Sequence, residues 1–163
     1  GRMSGKEFYA WLMKSEPSEV SVDDVLGMPE QTVGWFGVRN YQARNFMRDK
    51  CSTGDPVLFY HSSCKEPGIV GIGQIASDPY PDPTQFEINS VYFDPKSSEV
   101  KPRWVQVDVK VLYKVERISL QDLREIPECE GMQVLKKGNR LSITPVTEEQ
   151  WNALKPHLHR LSD

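Results

Sequence analysis

Residues 34–46, GWFGVRNYQARNF, gather four aromatic rings, two asparagines and two arginines around two glycines, with no acid among them. Such a set can stack a flat ligand, donate to its edge and hold a phosphate. Trp35, between Gly34 and Gly37, either plugs a core beside Phe36 or lines a pocket that the glycine backbone lets a ligand approach closely. Asn40 is either a base-edge donor or the N-cap of a following helix, in which case its side chain is occupied. Arg39 and Arg44 share the segment with Arg48 and Lys50, opposed only by Asp49. They are either solvated surface or a phosphate patch near helix N-terminal amides. A second basic cluster, KKGNR (136–140), contributes Lys137 and Arg140.

Catalytic chemistry has less to draw on. Lys14 and Ser15 in KSEP offer donors at the end of a strand, but neighbours on a strand face opposite ways, which argues against a Ser–Lys dyad. The same objection meets a nucleophilic pair within YHSSC (60–64), which holds Tyr60, His61 and Cys64. His61 and Cys64 stand three apart with no second ligand pair, so no metal is expected. The glycines of GIVGIG (68–73) do not make a dinucleotide fingerprint: their spacing is not G-x-G-x-x-G, and no helix with an acid about 20 residues on follows. No cofactor is expected.

These side chains need elements to position them. The run 8–16 reads as a first strand, and Ser21 with Asp24 as a capping box for a short helix closed by Pro29. Apolar residues at 43, 46 and 47 predict a helix over 41–50. VLFYHSS and GIVGIGQIA read as a buried hairpin around CKEPG. Residues 77–103, rich in Pro, Asp and Ser, have no period and read as a long loop, functional or mobile, containing Tyr80 and Asp82. WVQVDVKV (104–111) alternates cleanly and is the clearest strand. Ser119 with Asp122 predicts another capped helix, RLSITPV (140–146) a last strand, and Thr147 with Gln150 a terminal helix. Strands dominate and do not alternate with long helices. That pattern predicts an α+β chain: a small, mostly antiparallel β-barrel with short peripheral helices.

Composition sets outer limits. With 163 residues the chain is read as one domain, and 26% charged residues is ordinary for a globular protein. A net charge of -3 argues against broad phosphate binding but not against a local basic patch. No apolar run reaches bilayer length and no signal segment appears, so the expected setting is intracellular, with no membrane partner. Three widely spaced cysteines read as reduced thiols.

WLMKSEP (11–17), WFGVRNYQARNF (35–46), FYHSSCKEPGIVG (59–71), YPDPTQF (80–86), YFDP (92–95), WVQVDV (104–109) and RLSITPVTEEQW (140–151) together resemble the EVE-domain family, in order along nearly the whole chain. The resemblance implies a PUA-like fold related to YTH domains. It divides the chain into an extension over 1–10, the domain over 11–158 and a tail over 159–163. Nuclear location is implied for a eukaryotic source and cytoplasmic for a bacterial one. Phe36 departs from the acidic residue expected in many members, which implies a different ligand contact there.

The resemblance also implies a non-catalytic monomer that reads a modified base in nucleic acid. The expected base is 5-methylcytosine or its hydroxymethyl form in DNA, flipped into an aromatic pocket. Lys14, Ser15, Trp35, Asn40, Tyr41, Tyr60, His61, Tyr80 and Asp82 are the expected pocket residues, and Arg39, Arg44, Lys137 and Arg140 the rim. A reader of modified RNA is one alternative. An enzyme acting on a nucleobase or small aromatic metabolite, with Lys14 or His61 as acid/base, is another. A protein-interaction adaptor is a third.

Overall fold

The structure is a computed structural model that describes residues 8–162. The expected N-terminal extension over 1–10 falls mostly on residues 1–7, outside the described residues.

In chain order the elements are β1 (Ala10–Ser15), α1 (Val22–Leu26), β2 (Thr32–Gly34), α2 (Tyr41–Asn45), β3 (Pro56–His61) and β4 (Gly68–Ile75). There follow β5 (Tyr80–Pro81), β6 (Val105–Gln106), β7 (Asp108–Ile118), α3 (Leu120–Arg124), β8 (Ile143–Val146) and α4 (Glu148–Leu154). Six strands form one sheet in the order β2-β7-β4-β3-β1-β8, and β5 pairs with β6 in a small ribbon. Within the large sheet only β1 and β3 run parallel. The expected curled, mostly antiparallel sheet is thus present as a half-barrel whose edges are β2 and β8.

Both faces of the sheet are covered, which is why β1 and β3 read as unbroken apolar runs. Ala10 and Leu12 of β1 pack with Leu58 of β3 and with Leu123 and Leu154 of the later helices. Trp11 and Met13 point the other way, to Val57 and Phe59, Val25 of α1 and Ala43 of α2. The valine alternation of β7 behaves as expected at first, with Val107, Val109 and Val111 buried on the α1–α2 side. Past Val111 the pairing slips: Val111 faces Gly73 while Tyr113 faces Ile72. The extra residue, Leu112, is a bulge that reverses side-chain parity, so Val115 joins the opposite core, and a second irregularity between Gly71 and Ile69 brings Ile118 to the same side. A Cβ on Gly73 would lie 2.3 Å from the Lys110 carbonyl oxygen, so a glycine is required where the bulged strand closes in.

All three expected capping boxes are present, at Ser21–Asp24, Ser119–Asp122 and Thr147–Gln150. The helix expected over 41–50 is regular only through Asn45. It then widens into a π-type turn over Phe46–Lys50, closed by the Cys51 N–H donating to the Phe46 carbonyl at 2.9 Å.

Candidate functional site

A cleft of about 290 Å³ opens where the end of β1 meets the β2–α2 connection, the turn after β3 and the long loop between β5 and β6. Trp35 lines it at 6% exposure. Its backbone N–H donates to the Val107 carbonyl at 2.9 Å, which prolongs the β2–β7 pairing by one residue. Its ring meets Phe59 edge-on at 5.2 Å. The indole N–H makes no hydrogen bond among the described residues, and so remains a free donor on an otherwise fixed ring. Phe36 and Tyr92 form an aromatic wall, edge-on at 5.8 Å. The Tyr92 hydroxyl donates to Glu19 at 2.6 Å; burial first, and this acceptor second, push the phenol up to about 12.

Polar groups ring the opening. Lys14 is half-buried and makes no side-chain hydrogen bond or ion pair among the described residues; burial lowers its pKa below the usual lysine value. The Ser15 hydroxyl donates to the Val20 carbonyl at 2.5 Å, which leaves it free only as an acceptor. Glu16, Ser62, Ser63, Arg140 and Ser142 complete the lining together with the backbone of Gly34, Gly37 and their neighbours.

The aromatic wall is held from behind by the long loop, which is ordered rather than structureless. Asp82, fully buried, accepts from the Gly37 N–H at 2.7 Å, from Arg39 Nη1 at 3.1 Å and from the Thr84 N–H and hydroxyl at 2.8 and 2.6 Å. Gln85, also fully buried, donates to the carbonyls of Asp82 and Trp104 and accepts from the Trp104 N–H and the Ser97 hydroxyl. Gly37 has φ +82°, and a Cβ there would lie 2.7 Å from the Tyr92 ring. Backbone and ring can approach only because the side chain is missing.

Of the expected site residues, Lys14, Ser15, Trp35 and Arg140 meet at this cleft. The others lie elsewhere. Tyr60 is 3% exposed in the core on the opposite face of the sheet. The His61 Nε2 accepts the Val22 N–H at 3.1 Å at the start of α1, and burial lowers its pKa, so the ring is held neutral as a structural acceptor. The Asn40 side chain caps α2 by accepting from the Ala43 N–H at 3.0 Å. The Tyr80 hydroxyl donates to Asp108 and accepts from Gln106. Asp82 and Arg39 bind each other and the loop, with Arg39 also donating to the Tyr92 carbonyl. Lys137 is exposed and outside the cleft lining. Tyr41 and Arg44 lie on the outer surface, where Tyr41 stacks on Trp104 at 4.7 Å.

Several lining residues had no sequence signal of their own, including Glu19, Ser63 and Ser142. Tyr92 was visible in YFDP, yet its loop has no period from which a facing direction could be read. Phe36, a departure from the family pattern, supplies half of the aromatic wall. Among the described residues, no group of three or more His, Cys, Asp or Glu side chains could hold a metal ion, and no helix is long and apolar enough to cross a membrane.

Comparison with known proteins bears on the whole of this architecture. The chain is 42% identical to human thymocyte nuclear protein 1 over 159 residues, covering 87% of this chain and 70% of that protein. Its fold matches that of a protein from Pseudomonas syringae with TM-score 0.84 and 44% identity, covering 91% of this chain and 98% of the other. It also matches human THYN1 protein in complex with DNA containing 5-methylcytosine, with TM-score 0.81 and 42% identity, over 88% of this chain and 93% of that one. The half-barrel with its short helices is accordingly PUA-like. The EVE domain model matches residues 9–155, nearly the full sequence, and the chain belongs to the EVE domain family.

Proposed function

We propose that this chain binds DNA and reads a 5-modified cytosine, 5-methylcytosine or its hydroxymethyl form, flipped into the cleft against Trp35. One observation carries the reading: a nearly buried tryptophan, with its indole N–H unpartnered, lines a cleft whose other wall is Phe36 and Tyr92. A cleft of about 290 Å³ is at the small end of ligand sites and suits one base, not a duplex. The 5-methylcytosine DNA bound by the human relative supplies the ligand class.

The energetics are consistent with such a reader. Extruding a base costs a few kcal/mol, and stacking on an aromatic ring returns about 1–3 kcal/mol. Burying one methyl adds roughly 0.8 kcal/mol, so preference for the methylated base should be several-fold rather than absolute. Lys14 and the oxygen of Ser15 are among the lining groups available to read the base edge. A wrong base would leave them unpaired in a partly dry site, which discriminates more strongly than the methyl. Arg140 supplies charge at the rim. The protein acts as a monomer, one cleft per chain.

The test is a titration of matched oligonucleotides followed by tryptophan fluorescence at two salt concentrations. The set holds unmodified, 5-methylated and 5-hydroxymethylated cytosine in DNA and methylated adenine in RNA. Modification-dependent quenching with DNA, lost in Trp35→Ala, is the expected result. Equal, weak and salt-sensitive binding to every strand would overturn the reading, and preference for the RNA would reassign the ligand. A nucleobase-acting enzyme is the second reading, favoured by the half-buried, unpaired Lys14. It requires product formation that Lys14→Met abolishes.

A further inference from the structure

The aromatic wall of the cleft does not end at Tyr92. The Arg39 guanidinium lies 5.5 Å from the Tyr92 ring and 5.4 Å from the Trp104 ring. Trp104 is stacked on Tyr41 at 4.7 Å with the rings 22° apart. The Arg44 guanidinium sits 4.6 Å from Tyr41 and 5.9 Å from Trp104. Tyr92, Arg39, Trp104 and Tyr41 thus form one continuous row from the cleft to the outer surface, with Arg44 at its end.

Two properties set the outer end of this row apart. Tyr41 is 51% exposed although Trp104 covers one of its faces. A guanidinium capping the opposite face would lie about twice as far from Trp104 as Tyr41 does. Arg44, at 5.9 Å from Trp104, therefore sits beside the pair and leaves the outer face of Tyr41 open. Charge differs along the row as well. Arg39 is matched by the buried carboxylate of Asp82. Among the described residues Arg44 donates only to the Arg103 carbonyl and to the side-chain oxygen of Asn45, and no carboxylate there is bonded to it.

We infer that the open face of Tyr41 is a second nucleic-acid subsite, which stacks an unpaired base near the one held in the cleft while Arg44 takes a phosphate of the same strand. The inference rests on the nucleic-acid reading above. Spacing permits it. The steps from Tyr92 through Arg39 and Trp104 to Tyr41 are 5.5, 5.4 and 4.7 Å, a path that a strand with a repeat of ~3.4 Å covers in a few nucleotides. An exposed ring beside a guanidinium that no carboxylate neutralises by direct bonding is also the arrangement by which single strands are gripped without regard to sequence.

The deciding experiment is a binding cycle on dye-labelled single strands that carry one central 5-methylcytosine, measured by anisotropy. In a matched series one flanking nucleotide at a time is made abasic. Tyr41→Ala is expected to weaken binding roughly tenfold, within the range for one base stacked on an aromatic ring. One abasic position should weaken the unaltered protein by a similar factor and cost Tyr41→Ala nothing further. Tyr41→Phe should bind normally, and the methylated-to-unmethylated ratio should be unchanged in Tyr41→Ala. Normal affinity in Tyr41→Ala, or losses that add in full at every abasic position, would overturn the subsite. Coupling at one position without any methyl preference would retain the subsite and sink the base reader. A protein that binds none of these strands would overturn both.

Discussion

Asp82 and Arg39 lie 43 residues apart in sequence and meet at 3.1 Å, with the carboxylate fully buried and the guanidinium reaching the surface. The same carboxylate holds the Gly37 N–H, and the same guanidinium holds the Tyr92 carbonyl. One ion pair therefore ties the segment after β2 to the long loop, the two segments that carry the Phe36 and Tyr92 rings of the aromatic wall.

Removing one partner should show this in stability. Asp82→Ala is expected to cost about 3 kcal/mol, the low end for a broken buried pair because Arg39 can rehydrate in part. Asp82→Asn keeps an acceptor for Gly37 and should cost less. Urea unfolding measures both. A loss below about 1 kcal/mol for Asp82→Ala would mean the pair does not hold the two segments together.

Gly37 and Gly54 allow backbone strain to be separated from contact with the ring. Both have positive φ, +82° and +95°, but a Cβ on Gly37 would strike the Tyr92 ring while one on Gly54 meets nothing within 4 Å. Gly54→Ala should cost about 1 kcal/mol and leave ligand binding alone. Gly37→Ala should cost about 1–3 kcal/mol and also weaken binding by moving the wall. Identical behaviour of the two variants in melting and binding assays would contradict this.

Tyr92 should titrate late. Burial and the hydrogen bond to Glu19 raise its folded pKa to about 12, above the ordinary value of 10. The neutral phenol is favoured by folding, so its contribution to stability is complete below pH 10 and is lost as pH rises through about 12. Absorbance titration near 295 nm, compared with Tyr92→Phe, should assign this late step to Tyr92. An ordinary midpoint would show that neither burial nor Glu19 holds the phenol neutral.

Lys14 should oppose stability. Burial lowers its folded pKa, so folding disfavours the ammonium. Its favourable contribution is complete above the unfolded value and is lost as pH falls through the folded one. At neutral pH the charged group is a cost. Lys14→Met is expected to raise stability by about 0.5–1 kcal/mol and to weaken DNA binding more than tenfold. A destabilised variant with undiminished binding would reverse the assignment.

What could be read in the sequence depended on how local the determinant was. The capping boxes at Ser21, Ser119 and Thr147 each need only a partner three residues on, and all three are present. The valines before the bulge reveal their face by alternation alone. At Val115, just beyond Leu112, the same rule points the wrong way, because the parity change is set by the pairing with β4. β2, three residues long, is too short to show a period. In the candidate site, Trp35 and Lys14 were legible because glycines or a strand end mark their surroundings. Asp82 and Tyr80 have the right chemistry for a ligand, but their partners Arg39 and Asp108 come from distant segments that composition cannot bring together.

The pairing of β1 with β8 has a kinetic consequence. Ala10 lies opposite Val146, so this edge of the sheet joins segments more than a hundred residues apart in sequence, and Arg140 and Ser142 reach the cleft only when it forms. Contacts of such long sequence separation are slow to form, because the closure entropy of the whole intervening loop precedes any gain. During synthesis the cleft remains incomplete until the last strand emerges and docks. Recovery of ligand binding after dilution from denaturant should therefore lag behind recovery of the β3–β4 hairpin.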